Sequence, residues 1–492
     1  QDPLAALNPY LRIGPQLAHV LAAHRLATGR AAHERVVQML GRVGLPDPER
    51  QFRAWPHELS GGMRQRVMIA SALLCEPAVL LADEPTTALD VTVQAQVLDL
   101  LDELRRDTAM LLITHDLGIV AGRCDRVLAI DSGRVVEAAT TEAFFERPGH
   151  DYAKSLLAAA RTEAAPPTAG DEQGPVLEID AAAVSYPVRG HPPLDAVRDA
   201  SLTVRKGETV AIVGESGAGK SSLVRAVLGL VPLAAGRVVV AGTPVEAGLR
   251  DRARALRHDL QLVFQDPAAS LNPQMRVADL VAEPLEIEGT PRADAARRVR
   301  ETLAAVGLDA ALLERHPHEL SGGQAQRVAI ARALVVEPRV LVCDEAVAAL
   351  DGHARARVLE LLRAIQASTG LAIVFITHDL AVARSVSHRV VVMYLGRVVE
   401  VAATAALFEQ PRHPYTAALL DAVPRPDPAA PGGRASIPGE IPSLFAVPPG
   451  CSFHPRCPHA IDACRSQAPG LAALDGADVE CHRAAELDLV RR

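Results

Sequence analysis

Between Thr209 and Leu230 the chain reads TVAIVGESGAGKSSLVRAVLGL, an apolar run followed by a glycine-rich turn and an amphipathic segment. That succession predicts strand, loop and helix. Within it Gly214, Gly219, Lys220 and Ser221 satisfy G-x-x-x-x-G-K-[ST]. In such a loop backbone N–H groups curl around a phosphate, the lysine reaches the terminal phosphates and the hydroxyl meets Mg²⁺. The helix N-terminus adds its partial positive charge. Nucleotide phosphate binding is therefore expected at Gly214, Glu215, Ser216, Gly217, Ala218, Gly219, Lys220, Ser221 and Ser222.

The chain also repeats itself, which sets its organisation. QDPLAALNP at Gln1 returns as QDPAASLNP at Gln265, and HELSGG at His57 returns at His318. VLLADEPTTALD from Val79 returns as VLVCDEAVAALD from Val340, LLITHDL from Leu111 as VFITHDL from Val374, and HDYAKSLL from His150 as HPYTAALL from His413. Order is kept and the offset is nearly constant, so two copies of one domain are expected. The second copy starts near Val176 and reaches QDP at Gln265, whereas the first opens on QDP. Roughly 90 residues, with the first copy's phosphate loop, are thus expected upstream. The chain begins at Gln1 without Met or a signal-peptide pattern and reads as processed or as a fragment.

Short apolar runs at Ala78–Leu81, Met110–Ile113, Arg339–Val342 and Ala372–Ile376 read as buried parallel strands between helical patterns. The expected class is α/β with a mostly parallel sheet. Met275–Leu313 has apolar residues at helical spacing and reads as an inserted helical subdomain. Arg161–Pro175 is polar and Pro-rich and reads as a flexible linker. The expected division is 1–160, linker 161–175, 176–423 and a small separate module over 424–492. No apolar run approaches the roughly 20 residues a spanning helix needs, so the chain itself reads as soluble. A net charge of −8 leaves no basic footprint for nucleic acid.

Of seven cysteines, Cys451, Cys457, Cys464 and Cys481 crowd into the tail. A chain with a nucleotide loop is expected in the cytosol, where thiols stay reduced, so the cluster favours a metal over disulfides. Five, six and sixteen residues separate them, without the C-x-x-C pairs common in structural zinc sites. Iron–sulfur ligation, zinc and unligated thiols all stay open. His454, His459 and His482 read as polar loop residues or as substitute ligands. Few apolar residues surround the cysteines, so a structural crosslink is expected.

The phosphate loop with QDP, LSGG(Q), DE and THD resembles the ATP-binding-cassette family, from Gln1 to about Leu420. The resemblance implies two P-loop cassettes, each a parallel-sheet core with a helical subdomain, closing face to face around ATP. The phosphate loop of one then meets the LSGG of the other. It implies that Asp344 holds Mg²⁺ with Ser221 and Gln265, that Glu345 is general base for the attacking water, and that His378 orients the γ-phosphate and Glu345. Gln265 would sense the γ-phosphate, and Tyr186 would stack on adenine. One site would join the loop, Gln265, Asp344, Glu345 and His378 to Ser60, Gly61 and Gly62. The other would join Gln1, Asp83, Glu84 and His115 to Ser321, Gly322 and Gly323, without a phosphate loop of its own. Small residues at LSGG let backbone N–H groups approach a phosphate. Met63 stands where the second copy has Gln324, and Ala346-Val347-Ala348 where the first has Pro85-Thr86-Thr87, which puts the loop around Asp351 in doubt.

The closing region, EIPSLFAVPPGCSFHPRCPHAIDAC with Cys481-His482, resembles the C-terminal extension of the oligopeptide, dipeptide and nickel branch of importer ATPases. Some relatives carry a [4Fe–4S] centre there. The likeness implies an ATPase at the cytoplasmic face of the membrane, driving two permease subunits fed by an extracytoplasmic binding protein. Helical segments 266–283 and 2–24 would push the permeases. Peptides, glutathione-like peptides and nickel chelates are the expected cargoes. Two other classes compete: a non-transport cassette ATPase of DNA repair or translation, and a regulatory subunit without turnover. A short neutral linker and cysteines outside the cassettes speak against the first. Glu84 and Glu345 speak against the second.

Overall fold

The computed structural model describes residues 6–86, 89–105, 108–161, 174–190, 192–245, 254–348, 350, 352–429, 437, 439 and 441–489. Gln1, Thr87, Asp351 and nearly all of the expected linker lie outside them. The chain divides into two compact units, Gln1–Ala160 with Asp421–Ser436, and Arg161–Leu420 with Ile437–Arg492.

In the first unit, helix Ile13–Ala23 buries Ile13, Leu17 and Leu21, spaced four apart and so on one stripe. That stripe joins Val36 and Leu40 of helix Gly29–Arg42 and Val67 of helix Gly61–Leu73 in one core. Strands β1 (Val79–Asp83) and β2 (Ala109–Ile113) pair in parallel, Val79 opposite Ala109, with helix Val91–Leu104 between them in sequence. Strands β3 (Arg126–Asp131) and β4 (Arg134–Thr140) form a separate antiparallel pair.

The second unit holds β5 (Pro175–Tyr186), β6 (Leu194–Arg205), β7 (Thr209–Val213), β8 (Ala235–Val240), β9 (Thr243–Pro244), β10 (Leu260–Val263), β11 (Val340–Asp344), β12 (Ala372–Ile376), β13 (Arg389–Tyr394), β14 (Arg397–Ala403), β15 (Ala472–Leu474) and β16 (Ala477–Val479). An eight-stranded sheet runs β10-β11-β12-β7-β13-β14-β16-β15, parallel from β10 to β13. A second, antiparallel sheet runs β6-β5-β8-β9. One core lies between that sheet, helix Lys220–Val227 and one face of the central strands. The opposite face packs on helices Val277–Ile287, Arg292–Ala305 and Gly322–Leu334. Residues Met275–Leu313 are therefore mostly helical, as their spacing predicts.

Two expectations change. Strands β11 and β12 are buried almost throughout, but β1 and β2 alternate, leaving Leu81 68% and Ile113 50% exposed. The reason is cover. In the second unit β7 lies between β12 and β13, and its helix and the antiparallel sheet cap one face. Among the described residues of the first unit no strand joins β2 to β3, and no such cap is present. The tail, expected as a separate module, instead adds a hairpin to the main sheet. In it β16 pairs antiparallel with β14 (Val401 opposite Asp478), and Glu480 forks onto Arg397 Nε at 2.7 and 2.8 Å.

Candidate functional site

The phosphate loop leaves β7 and enters helix Lys220–Val227 at the edge of two crowded backbones. Gly214 has φ 151°, and a Cβ there would sit 2.2 Å from the Met393 carbonyl oxygen. Gly219 caps the helix at φ 99°, where a Cβ would fall 2.4 Å from the Ala196 carbonyl. Both positions therefore require glycine. Lys220 is buried and its Nζ donates to the carbonyls of Gly214 (2.7 Å) and Glu215 (3.0 Å), which closes the loop on itself. Ser221 is exposed at the helix start. The Tyr186 and Ser222 hydroxyls lie 3.3 Å apart, placing the aromatic ring beside the loop.

Parallel strands bring the acidic groups to the same sheet end. Asp344 closes β11, and Glu345 follows in the left-handed region at φ 48° while its N–H bonds to the Ile376 carbonyl of β12. A non-glycine residue there is sterically costly, so the surrounding bonds hold it. Glu345 accepts from Gln265 Nε2 at 2.6 Å and faces His378 Nδ1 at 3.0 Å. Burial opposes the ionised Glu345, but the hydrogen bond and charge of His378 outweigh it and hold the carboxyl below its usual range. Burial likewise opposes the imidazolium, yet Glu345 raises His378. With Nδ1–H turned to Glu345, it is the imidazolium favoured by that pairing that would carry a second proton, on Nε2, to offer a phosphate. Burial and the neighbouring Glu345 push Asp344 up. Asp344, Glu345 and the Gln265 amide at this sheet end offer oxygen donors of the kind Mg²⁺ takes, and a cation there would relieve the burial of Asp344.

The first unit repeats part of this. Asp83 closes β1, Glu84 sits at φ 42° with its N–H on the Ile113 carbonyl, and His115 Nδ1 lies 2.7 Å from Glu84 Oε1. Ser60 caps helix Gly61–Leu73 by accepting from the Met63 N–H. Ser321 caps helix Gly322–Leu334 in the same way, and there Gln324 Oε1 returns a bond from the Ser321 N–H at 2.9 Å. Met63 has no oxygen to complete that exchange. Gly62 is needed for contact, since a Cβ would meet Val93 at 2.3 Å, and Gly323 is packed less tightly. Gly61 and Gly322 open the two helices. After Glu345 the turn closes by an Ala348 N–H bond to the Glu345 carbonyl, so the Ala-Val-Ala departure leaves that residue in place.

In the tail, Cys451, Cys457, Cys464 and Cys481 line one small, partly open space. Burial pushes the Cys451 and Cys457 thiols up to about 11. His454 donates to the Cys451 carbonyl and His482 to the Gln467 carbonyl, so each spends a ring nitrogen on backbone. The donor chemistry suits a soft metal, but among the described residues no three His, Cys, Asp or Glu are gathered in an arrangement that holds an ion.

One contact escaped the sequence. Arg456, beside Cys457, forks onto the Glu215 carboxylate of the phosphate loop at 2.8 and 3.1 Å. Neither periodicity nor motif spacing marks a pair 241 residues apart. The adjoining R-C-P was legible only as part of the tail.

A family profile described as ABC transporter matches residues 5–87 and 197–348, and one described as the C-terminal region of oligopeptide/dipeptide transporters matches 399–464. The glutathione import ATP-binding protein GsiA of Escherichia coli is 43% identical over 464 residues, 87% of this chain and 74% of its own. The protein of that name from Salmonella choleraesuis is 42% identical over 463 residues, with the same coverage. Among solved structures, cbiO1 from Clostridium perfringens shares 30% identity at a TM-score of 0.44, over 48% of this chain and 91% of its own.

Proposed function

The chain belongs to the ATP-binding-cassette transporter ATPases, in the oligopeptide and dipeptide import branch, and from that premise we propose what it carries and how its residues act. It is an ATPase that energises import, and importers of this family work with membrane permeases and a substrate-binding protein. Glutathione is the first cargo to test, because two relatives are named for its import. Di- and oligopeptides and nickel chelates complete the set. Nothing observed favours a non-transport role. Among the described residues no helix is long and apolar enough to cross a membrane, and the chain is assigned to the cytoplasmic face, held by the permeases.

In this reading residues 1–160 and 176–423 act as paired cassettes within one polypeptide, joined by 161–175 and followed by the extension 424–492. The repeated Glu–His pairs and serine-capped helices support it. Ser60–Gly62 would meet the triphosphate held by Gly214–Ser222, and Ser321–Gly323 the site of Asp83, Glu84 and His115. Gln1 joins that second site from outside the described residues. Lys220 and the loop N–H groups bind the phosphates, and Tyr186 stacks on the base. Ser221, Gln265 and Asp344 would hold Mg²⁺, which when bound spreads charge across the phosphates. Glu345 takes a proton from the attacking water as its oxygen bonds to the γ-phosphorus and the bond to the β-phosphate oxygen breaks. His378 donates to the γ-phosphate and keeps Glu345 aimed.

The observation that carries this is the Gln265–Glu345–His378 chain of bonds at the same sheet end as the phosphate loop. Glu345→Gln keeps the shape and removes the base. Steady-state turnover is expected to fall about 10²- to 10⁴-fold with ATP affinity retained, and unchanged turnover overturns the assignment. Uptake of labelled glutathione against dipeptides, in vesicles holding the chain with its permeases and binding protein, settles the cargo.

The four tail cysteines are assigned to an iron–sulfur cluster, with zinc as the second reading. That all four line the same small space supports it, and binding would draw them together and displace the thiol protons that burial retains. Iron, sulfide and zinc content of protein purified without oxygen is the test. Colourless, metal-free protein removes both metals.

A further inference from the structure

We infer that Arg456 of the C-terminal extension is a positioning residue for ATP binding, acting through Glu215. The inference rests on the phosphate-loop reading above. Arg456 is 3% and Glu215 1% exposed by side chain. The fork is bidentate, and Arg456 Nη1 also lies 3.4 Å from the Tyr394 hydroxyl. The Glu215 peptide is tied at every polar point: its N–H donates to the Tyr415 hydroxyl at 3.0 Å, and its carbonyl accepts from Lys220 Nζ and from the Ala218 N–H. Tyr394, Tyr415 and Phe453 pack around the pair, with ring centroids 4.6 to 5.4 Å apart.

Burying two charges costs several kcal/mol each, and apolar residues of like volume serve stability at least as well. Stability therefore does not account for a carboxylate at the second position of a loop built to attract anions. Function does. Paired, Glu215 anchors the loop from behind and adds no net charge beneath the phosphates. Without Arg456 it is a buried negative charge close to a polyanion, at low effective dielectric. The extension thus supplies the cation that lets the loop carry an acidic anchor.

The sign of the effect separates this from a structural role. In the full chain Arg456→Met is expected to raise the Kd and KM for ATP about 10- to 100-fold, with kcat at saturation within about threefold, an allowance set by ordinary mutational scatter. Glu215→Gln removes the carboxylate and keeps the cation, so ATP affinity holds or tightens. The double variant Glu215→Gln/Arg456→Met returns near the parent, and Arg456→Lys recovers part of the loss. If removing either member weakens ATP binding alike, or Arg456→Met binds as the parent does, the inference falls. Should Arg456→Met fail to fold, Glu215→Gln and the double variant still carry the test. A parent chain that binds no ATP, matching a Lys220→Ala control, would overturn the loop reading instead.

Discussion

At the scale of single residues the two Ser-capped helices make an internal experiment. Ser321 and Gln324 exchange two hydrogen bonds, whereas the cap on the first helix is one-sided, the Ser60 hydroxyl accepting from the Met63 N–H. The missing half leaves the Ser60 N–H without the return bond that Gln324 supplies to its counterpart. Met63→Gln is expected to restore it, stabilising the helix start by about 0.5 kcal/mol. Slower amide exchange at Ser60 reports the change, and an unaltered rate refutes it. The glutamates after β1 and β11 share another feature, a left-handed backbone at φ 42° and 48°. The DE motif placed both residues correctly. It did not announce the strain, which comes from the backbone bond to the next strand.

At the scale of elements, β4 and β14 each send a carboxylate to the start of a helix. Glu400 is fully buried and accepts from the N–H groups of Arg412 and His413 at 2.8 and 2.9 Å. Glu137 makes the same bonds to Gly149 and His150 in a more open setting. Those donors hold Glu137 below the usual carboxylate range, whereas burial pushes Glu400 up against the same kind of bonds. Glu400→Ala strands one buried and one part-buried donor and should cost about 2–4 kcal/mol. Chemical denaturation followed by a probe in the second unit measures this, and a loss under about 1 kcal/mol contradicts it. Strands, the helical insertion and both motif-bearing helices were legible because burial imposes a period on sequence. The three-residue strand β16 was not, since no period is visible at that length. The exposure of β1 and β2 was also hidden, because an apolar run records what a strand can bury and not what covers it.

For the whole molecule, the Glu–His pairs of the candidate site were readable from duplicated motifs, while the bond between extension and loop was not. Motifs mark what touches a ligand, and Arg456 reaches the loop through the Glu215 side chain. Residues 1–160 contain no G-x-x-x-x-G-K-[ST] sequence, so titration calorimetry on the 492-residue chain is expected to count one tight ATP. Two equivalent tight sites would contradict the assignment of loops. The Glu215–Arg456 pair also has a consequence during synthesis. Its partners are 241 residues apart, and at ribosomal speeds of about 5–20 residues per second the carboxylate emerges roughly 12 to 48 s before its guanidinium. A nascent chain therefore exposes the nucleotide cradle well before Arg456 is made, and maturation of that cradle must wait for the extension to be translated.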